Sequence, residues 1–393
     1  MAEPTGIELL RAEHLANHGL RNLNFEYEEC FADLVWGHPD PTLEPVEEIR
    51  AAVDRTLTRH GWQAIAYGWQ AGPAVLREHV AAHLSALGEG PVDPALTLST
   101  PGASGGLNML VNLLCRPGDT VLVAEPTYFL ALRILGDQPV RIVGVPCDAE
   151  GVLPDALDHA SAAGARLLYC IPTFANPTGI CWTDERKRAV IDIAARRGFR
   201  VIEDDVYREL AFDRRPARSL WSHDTEGVVI RMGSFSKTLS PGLRVGYLTA
   251  PADVAQTVID CGMLDSGGGH NHFIATVVGD LVGTPEYGAI VDRAVASYAE
   301  RAAALVEGLG RSLEFQAPRG GYFLWARLPD GVDRAIFLAA SSDAGVRCSN
   351  GSLFYGNDVD GRHVRMSFSL LPPEVLSEAG RRIAGVLSDL RHA

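Results

Sequence analysis

The sequence predicts an α/β protein: a large domain whose mainly parallel, seven-stranded-type sheet lies between helices, joined to a smaller α+β domain. Three observations carry this expectation. Short apolar runs alternate with helical patterns through the middle of the chain, and the character changes near residue 290. The length of 393 residues, with 47% hydrophobic and 21% charged side chains, suffices for a substantial buried core.

The elements follow in order. An apolar run at 96–98 leads into a Gly-rich turn, and 107–114 continues as a helix. Strand runs follow at 120–124, 139–145, 166–171, 200–203 and 228–232, each aliphatic and bounded by turn residues. Between the third and fourth of these, Thr183 is a good N-cap, apolar residues recur at Ala189, Val190, Ile193 and Ala194, and Gly198 after Arg196-Arg197 gives the stop. A strand, helix, strand succession of this kind makes parallel neighbours. From 291 to 309 a long helical pattern precedes an alternating, strand-like stretch at 315–328. No low-complexity linker separates the parts. The large domain is expected to span 46–288, and the small one 1–45 together with 289–393.

Charge and targeting signals narrow the function classes. A net charge of −14 argues against nucleic acid as partner, because phosphate contacts need a basic face. The first residues, Met1-Ala2-Glu3-Pro4-Thr5-Gly6, carry no basic segment followed by an apolar core, and apolar stretches fall well short of the ~20 residues of a membrane span. A cytoplasmic location without membrane contact is the expectation. Seven cysteines without paired spacing read as reduced and mostly buried. His270-Asn271-His272 follows a glycine run, but no HExxH or Cys/His cluster supports it, so no metal site is expected.

The basic residues are unevenly chosen: of 35, only Lys187 and Lys237 are lysines. A guanidinium that never deprotonates cannot form a Schiff base, whereas a desolvated amine can. Lys187 lies in the alternating run Asp184-Glu185-Arg186-Lys187-Arg188, which reads as the solvated start of a helix. Lys237 lies in Gly233-Ser234-Phe235-Ser236-Lys237-Thr238, with no carboxylate within several residues, and is the chemically interesting one.

Four constellations stand at strand ends. Thr100-Pro101-Gly102-Ala103-Ser104-Gly105-Gly106 presents backbone N–H groups at a helix start, an anion cradle. The same residues satisfy GxSxG, the nucleophile elbow of a serine hydrolase, so two readings stand at this point. Asn176-Pro177-Thr178-Gly179 is a turn leaving a strand, Glu203-Asp204-Asp205-Val206-Tyr207 closes another, and Ser234 to Lys237 precedes Arg244 by a short loop. Carboxylates at the C-terminal ends of strands lie where ligands bind in open α/β sheets.

In this order and spacing, the four pieces resemble the fold type I aminotransferases dependent on pyridoxal 5'-phosphate, class I/II. Two further stretches agree, Pro318-Arg319-Gly320-Gly321-Tyr322-Phe323-Leu324-Trp325 and Val364-Arg365-Met366-Ser367-Phe368. The resemblance implies that Lys237 holds the cofactor as an internal aldimine and moves the proton, and that Asp204 pairs with the pyridinium nitrogen. It implies hydrogen bonds from Asn176 and Tyr207 to the phenolic oxygen, and Tyr128 stacked on the ring. The phosphate is expected on Ala103, Ser104, Ser234 and Arg244. Arg365 is expected to clamp the substrate α-carboxylate, with Gly37 beside it. Tyr67 is expected to reach the partner subunit's phosphate site, which implies a homodimer with shared active sites.

The implied activity is transfer of an amino group between an α-amino acid and a 2-oxo acid. Elimination, replacement, decarboxylation, oxidation or C–C bond formation could run on the same scaffold. A serine hydrolase built on Ser104, with His363 as a conceivable base, would leave Lys237, Asn176, Asp204 and Arg244 without a purpose. A regulator carrying the fold beside a DNA-binding module would need a basic helix-turn-helix segment, and none precedes Tyr67.

Overall fold

A computed structural model describes residues 30–267, 269–356 and 362–392. The chain is organised by one twisted sheet whose strands run in the order Thr97–Thr100, Gly246–Thr249, Val229–Ser234, Arg200–Asp204, Ala165–Cys170, Thr120–Glu125, Arg141–Asp148 and Gly151–Val152. The five from Val229–Ser234 to Arg141–Asp148 are parallel, and Gly246–Thr249 pairs antiparallel with both of its neighbours. Seven strands are as expected. The eighth, Gly151–Val152, is a two-residue edge paired antiparallel with the end of Arg141–Asp148, too short to leave an apolar run in sequence.

Alternation of side chains explains why the sheet is covered on both faces. Leu167 and Tyr169 face a cluster with Leu107, Leu110, Leu135 and Val254, whereas Leu168 and Cys170 face one with Leu157, Val190 and Ala194. Neighbouring residues of one strand thus feed opposite cores, so a buried parallel strand reads as a continuous apolar run. The helix Asp184–Arg197 begins and ends as its sequence dictates. Thr183 accepts a hydrogen bond from the Arg186 N–H at 3.2 Å, and Gly198 takes a left-handed conformation with φ of 75°.

One residue of this helix contradicts its sequence reading. Lys187 is fully buried rather than solvated. It lies on the same stripe as Val190, Ile191 and Ala194, which packs on the sheet, so its stem is drawn into the core. Its Nζ donates to the Arg218 carbonyl at 2.6 Å and lies 3.7 Å from Asp184. A second correction concerns the cysteines, expected to be mostly buried: only Cys170 is buried, and the other six are partly exposed.

The C-terminal third forms a second core. The helices Pro285–Leu309 and Pro373–His392 share one core with an antiparallel sheet ordered Glu314–Phe315, Phe323–Arg327, His363–Ser367, Ser349–Asn350. The stretch expected to be one alternating strand is therefore two short strands joined by a loop. Ala32–Asp33 pairs in parallel with Val346–Arg347, tying the start of the described chain to this part. Residues 1–29, which the sequence reading placed in the small domain, lie outside the described residues. Among the described residues, no helix is long and apolar enough to cross a membrane, and no group of three or more His, Cys, Asp or Glu side chains is arranged to hold a metal ion.

Candidate active site

The parallel strands deliver their last residues to one edge of the sheet, and the predicted site residues gather there. Lys237 follows Val229–Ser234. Its Nζ donates to the Gly37 carbonyl at 3.0 Å and lies 5.8 and 5.2 Å from the centres of the Tyr207 and Tyr322 rings. Burial, and then the Arg365 charge, lower the amine to about 8, while Asp204 pulls the other way. A lysine so placed supplies neutral amine far more readily than one in water. Gly37 has no room for a side chain, because a Cβ there would come within 2.5 Å of the Phe323 ring.

Asp204 ends its strand with the two carboxylate oxygens in different states. Oδ2 accepts the Tyr169 hydroxyl at 2.6 Å, and Oδ1 is buried without a hydrogen-bond partner in the protein. Burial pushes this carboxyl up to about 6, with the Tyr169 hydrogen bond acting against it. Asn176 accepts from Arg365 Nη1 at 2.9 Å, which leaves its amide N–H groups as donors. Tyr207 is hydrogen-bonded to Asn176, and burial holds its phenol well above the usual range, so it stays protonated. The Tyr128 hydroxyl is pushed up to about 12 by burial and then by Asp204, whose field it feels.

Arg365 is fully enclosed between aromatic faces, 4.1 Å from the Phe323 centroid and 4.8 Å from that of Phe354. Its Nη2 donates to the Val35 carbonyl and to Ser349 Oγ, while Nε has no partner. Burial lowers its pKa to about 10. A desolvated guanidinium with no carboxylate paired to it among the described residues can receive an anion.

The expected anion cradle is also assembled. The helix Gly102–Leu114 starts at the strand end, so the first-turn N–H groups, including those of Ala103 and Ser104, have no acceptor within the helix. The Arg244 guanidinium is held there by the carbonyls of Pro241 and Pro101 at 3.1 and 3.4 Å. Ser234 Oγ donates to Ser236 Oγ at 3.0 Å beside it. Gly102, with φ of +76°, would place a Cβ 2.6 Å from Arg244 Nη2. Tyr67 alone stands apart, 89% exposed and packed against Gly267.

Several neighbours escaped the sequence reading. Tyr169 is a lone tyrosine in an aliphatic strand, and that polarity was the available signal. Ser236 and Tyr322 lie inside the quoted motifs; Tyr322 donates to the Lys237 backbone carbonyl at 3.2 Å. His38, next to Gly37, is lowered to about 4 by burial and then by the Lys237 charge, so it is neutral here. The hydrolase reading gains nothing: Ser104 is exposed in a helix turn, and His363 stacks on Trp325 with centroids 5.1 Å apart.

The donor set fits pyridoxal 5'-phosphate. It offers a buried carboxylate oxygen without a protein partner for a ring nitrogen, an amine of lowered pKa for an aldehyde, phenol and amide donors for a ring oxygen, and a cationic helix start for a phosphate. A cavity of about 500 Å³ borders Asn176 between the sheet edge and the small sheet, with Trp182, Trp325, Tyr355 and His363 among its walls.

Comparisons with known proteins agree with this geometry. The model of the family described as aminotransferase class I and II matches residues 33–383. The chain is similar to the aromatic-amino-acid aminotransferase 1 of Thermococcus litoralis, with 27% identity over 91% of this chain and 88% of that protein. It is similar to the 2-aminoadipate transaminase of Thermus thermophilus, with 30% identity over 90% of this chain and 89% of that protein. Among solved structures, it superposes with a TM-score of 0.81 and 30% identity on LysN, an α-aminoadipate aminotransferase from Thermus thermophilus complexed with N-(5'-phosphopyridoxyl)-L-leucine, covering 92% of each chain.

Proposed function

The chain belongs to the class I and II aminotransferases, enzymes of fold type I that use pyridoxal 5'-phosphate to transfer amino groups, and on that premise we propose how its own residues divide the work. Bound pyridoxal 5'-phosphate supplies an electron-withdrawing ring that accepts the electron pair left on the substrate Cα. Lys237 Nζ would hold it covalently by condensing with its aldehyde, with loss of water. Asp204 Oδ1 would accept the hydrogen bond of a protonated ring nitrogen, while the Tyr207 hydroxyl and the Asn176 amide would donate to the ring oxygen. Ala103 and Ser104 N–H groups, the Ser104 and Ser234 hydroxyls and Arg244 hold the phosphate, and Tyr128 covers the ring face.

Arg365 presents its fork to the α-carboxylate of an amino acid, with Gly37 leaving room for the backbone. That clamp would point Cα at Lys237, whose Nζ as free amine would take the Cα proton and hand it on to the cofactor. Burial keeps a share of that amine neutral near pH 8, as proton abstraction requires. The second half-reaction runs the same steps backwards on a 2-oxo acid, whose carboxylate uses the same fork. The observation that carries this reading is the half-buried Lys237 amine, which donates to the Gly37 carbonyl and feels both the Arg365 cation and an Asp204 carboxylate with one oxygen unpartnered.

We propose a homodimer in which Tyr67 completes the partner's phosphate site. Trp62, Ile65, Tyr67 and Trp69 are 73, 68, 89 and 78% exposed, an apolar patch that a second copy would cover. The domain division at 46–288 against 1–45 and 289–393 is the companion reading, supported by the pairing of Ala32–Asp33 with Val346–Arg347. A cytoplasmic setting is proposed on the seven cysteines, whose spacing in the sequence shows no pairing.

The test is a panel of amino acids that includes aromatic ones and 2-aminoadipate, the substrates named for the relatives, each offered with a 2-oxo acid. Product masses should show the amino group exchanged between the two. Release of ammonia or carbon dioxide in place of exchange would reject transamination. Sedimentation equilibrium at twice the chain mass supports the shared site; a monomer at micromolar concentration would reject it.

A further inference from the structure

Tyr169 is the residue that the functional reading leaves without a purpose, although it touches the cofactor's carboxylate partner. The strand Ala165–Cys170 runs parallel to Arg200–Asp204 with Tyr169 opposite Ile202. Side chains alternate, so Asp204, two residues after Ile202, lies on the same face as Tyr169, one step toward the strand end. The phenol therefore reaches along the sheet and donates to Asp204 Oδ2 at 2.6 Å. Tyr169 is fully enclosed, and Asp204 is 6% exposed.

Resting on the aminotransferase reading above, we propose that Tyr169 is a positioning residue that acts through Asp204: its hydroxyl fixes Oδ2, sets the carboxylate's rotation, and leaves Oδ1 as the single acceptor aimed at the cofactor's ring nitrogen. A free carboxylate in a polar site can turn and share a proton partner between its two oxygens. Here one oxygen is occupied and the other is buried with no protein partner. Burial and, less, the neighbouring Asp205 favour the neutral acid, while the short phenol hydrogen bond, and after it the Lys237 charge and the Val206 N–H, favour the charged form needed to hold a protonated ring nitrogen. Burial also keeps the phenol itself protonated, well above its ordinary range, so it remains a donor.

The consequence is a coupling between two residues, measurable without turnover. Tyr169→Phe keeps the shape and deletes one hydrogen bond to a charged group, which should weaken affinity for pyridoxal 5'-phosphate by roughly ten- to a hundredfold. A ring nitrogen that keeps its proton repels a second proton near Lys237. Losing the Tyr169 hydroxyl should therefore raise the pH midpoint of the bound cofactor's visible band by about one unit. kcat should fall with it, while KM for the amino acid, set at Arg365, changes less than twofold.

The decisive experiment is a double-mutant cycle on cofactor affinity, measured by calorimetry on the apo-protein, with Tyr169→Phe made in the wild type and in Asp204→Ala. The expected result is a large loss in the first background and almost none in the second. Equal losses in both backgrounds, or no loss in the first, would overturn the proposal, since a packing role for Tyr169 does not depend on the Asp204 carboxylate. Should Tyr169→Phe fail to fold, difluorotyrosine at position 169 keeps the donor and makes it more acidic. It should move the band's midpoint downward, and an upward or absent shift counts against the proposal. Wild-type protein that binds no pyridoxal 5'-phosphate would instead refute the reading on which this inference rests.

Discussion

Lys237 costs the empty protein stability, and the cost can be measured. The fall of its amine from 10.5 to about 8 corresponds to about 3 kcal/mol of preference for the neutral form. The side chain keeps some contact with solvent, and Lys237→Met also loses the hydrogen bond to the Gly37 carbonyl. Both reduce the gain, to about 1–2 kcal/mol. At about 2.1 cal/mol/K per residue over 393 residues, that raises Tm of the cofactor-free protein by roughly 1–2 °C.

The pH dependence has a definite sign. Below pH 8 the amine is protonated in both the folded and unfolded chains, so the penalty is fully present. Between pH 8 and 10.5 the folded form gives up its proton first, and the penalty fades as pH rises. Thermal melts of apo wild type and Lys237→Met at pH 7 and pH 10 should therefore show the variant ahead at pH 7 and the two converging at pH 10. A variant less stable than wild type at pH 7, or an advantage undiminished at pH 10, would refute the reasoning that the site strains this amine toward its neutral state.

Other substitutions separate the remaining roles. Arg365→Met removes both arms of the carboxylate fork, each a charge-assisted contact of about 1.5–3 kcal/mol, so steady-state kinetics should show kcat/KM lowered by roughly 10²–10⁴-fold. Cofactor affinity, titrated separately, should change by less than about threefold. Gly102→Ala forces φ of +76° on a residue with a Cβ and presses on Arg244; it should cost about 1–2 kcal/mol in denaturant titrations and weaken cofactor binding. Lys187→Ala strands the Arg218 carbonyl and opens a gap beneath the helix, lowering stability by about 2–3 kcal/mol while kcat per folded molecule is unchanged.

The layers of the fold were legible because they rest on local signals. Leu167 to Cys170 is apolar on both faces, Thr183 and Gly198 punctuate a helix, and each is read within a dozen residues. What escaped depends on distant chain. Gly151–Val152 is a strand only because Cys147 and Asp148 fold back on it, and Ala32–Asp33 only because Val346–Arg347 lies beside it. Lys187 misled because its charged neighbours suggest water, whereas its position relative to Val190, Ile191 and Ala194 decides which way it points. In the candidate site, Lys237, Asp204, Asn176 and Arg365 are proposed from motif order. The resemblance quotes residues that meet the ligands directly, so Tyr169, one layer behind Asp204, left only the faint mark of a hydroxyl in an aliphatic strand.

The central claim is that one amine of this chain carries the cofactor, and the two lysines make it a binary test. The protein loaded with pyridoxal 5'-phosphate would be reduced with borohydride, digested and mapped by mass. The expected result is one cofactor adduct on the peptide containing Lys237 and none on that containing Lys187. An adduct at Lys187, or no adduct on protein that is folded and loaded, would contradict the assignment.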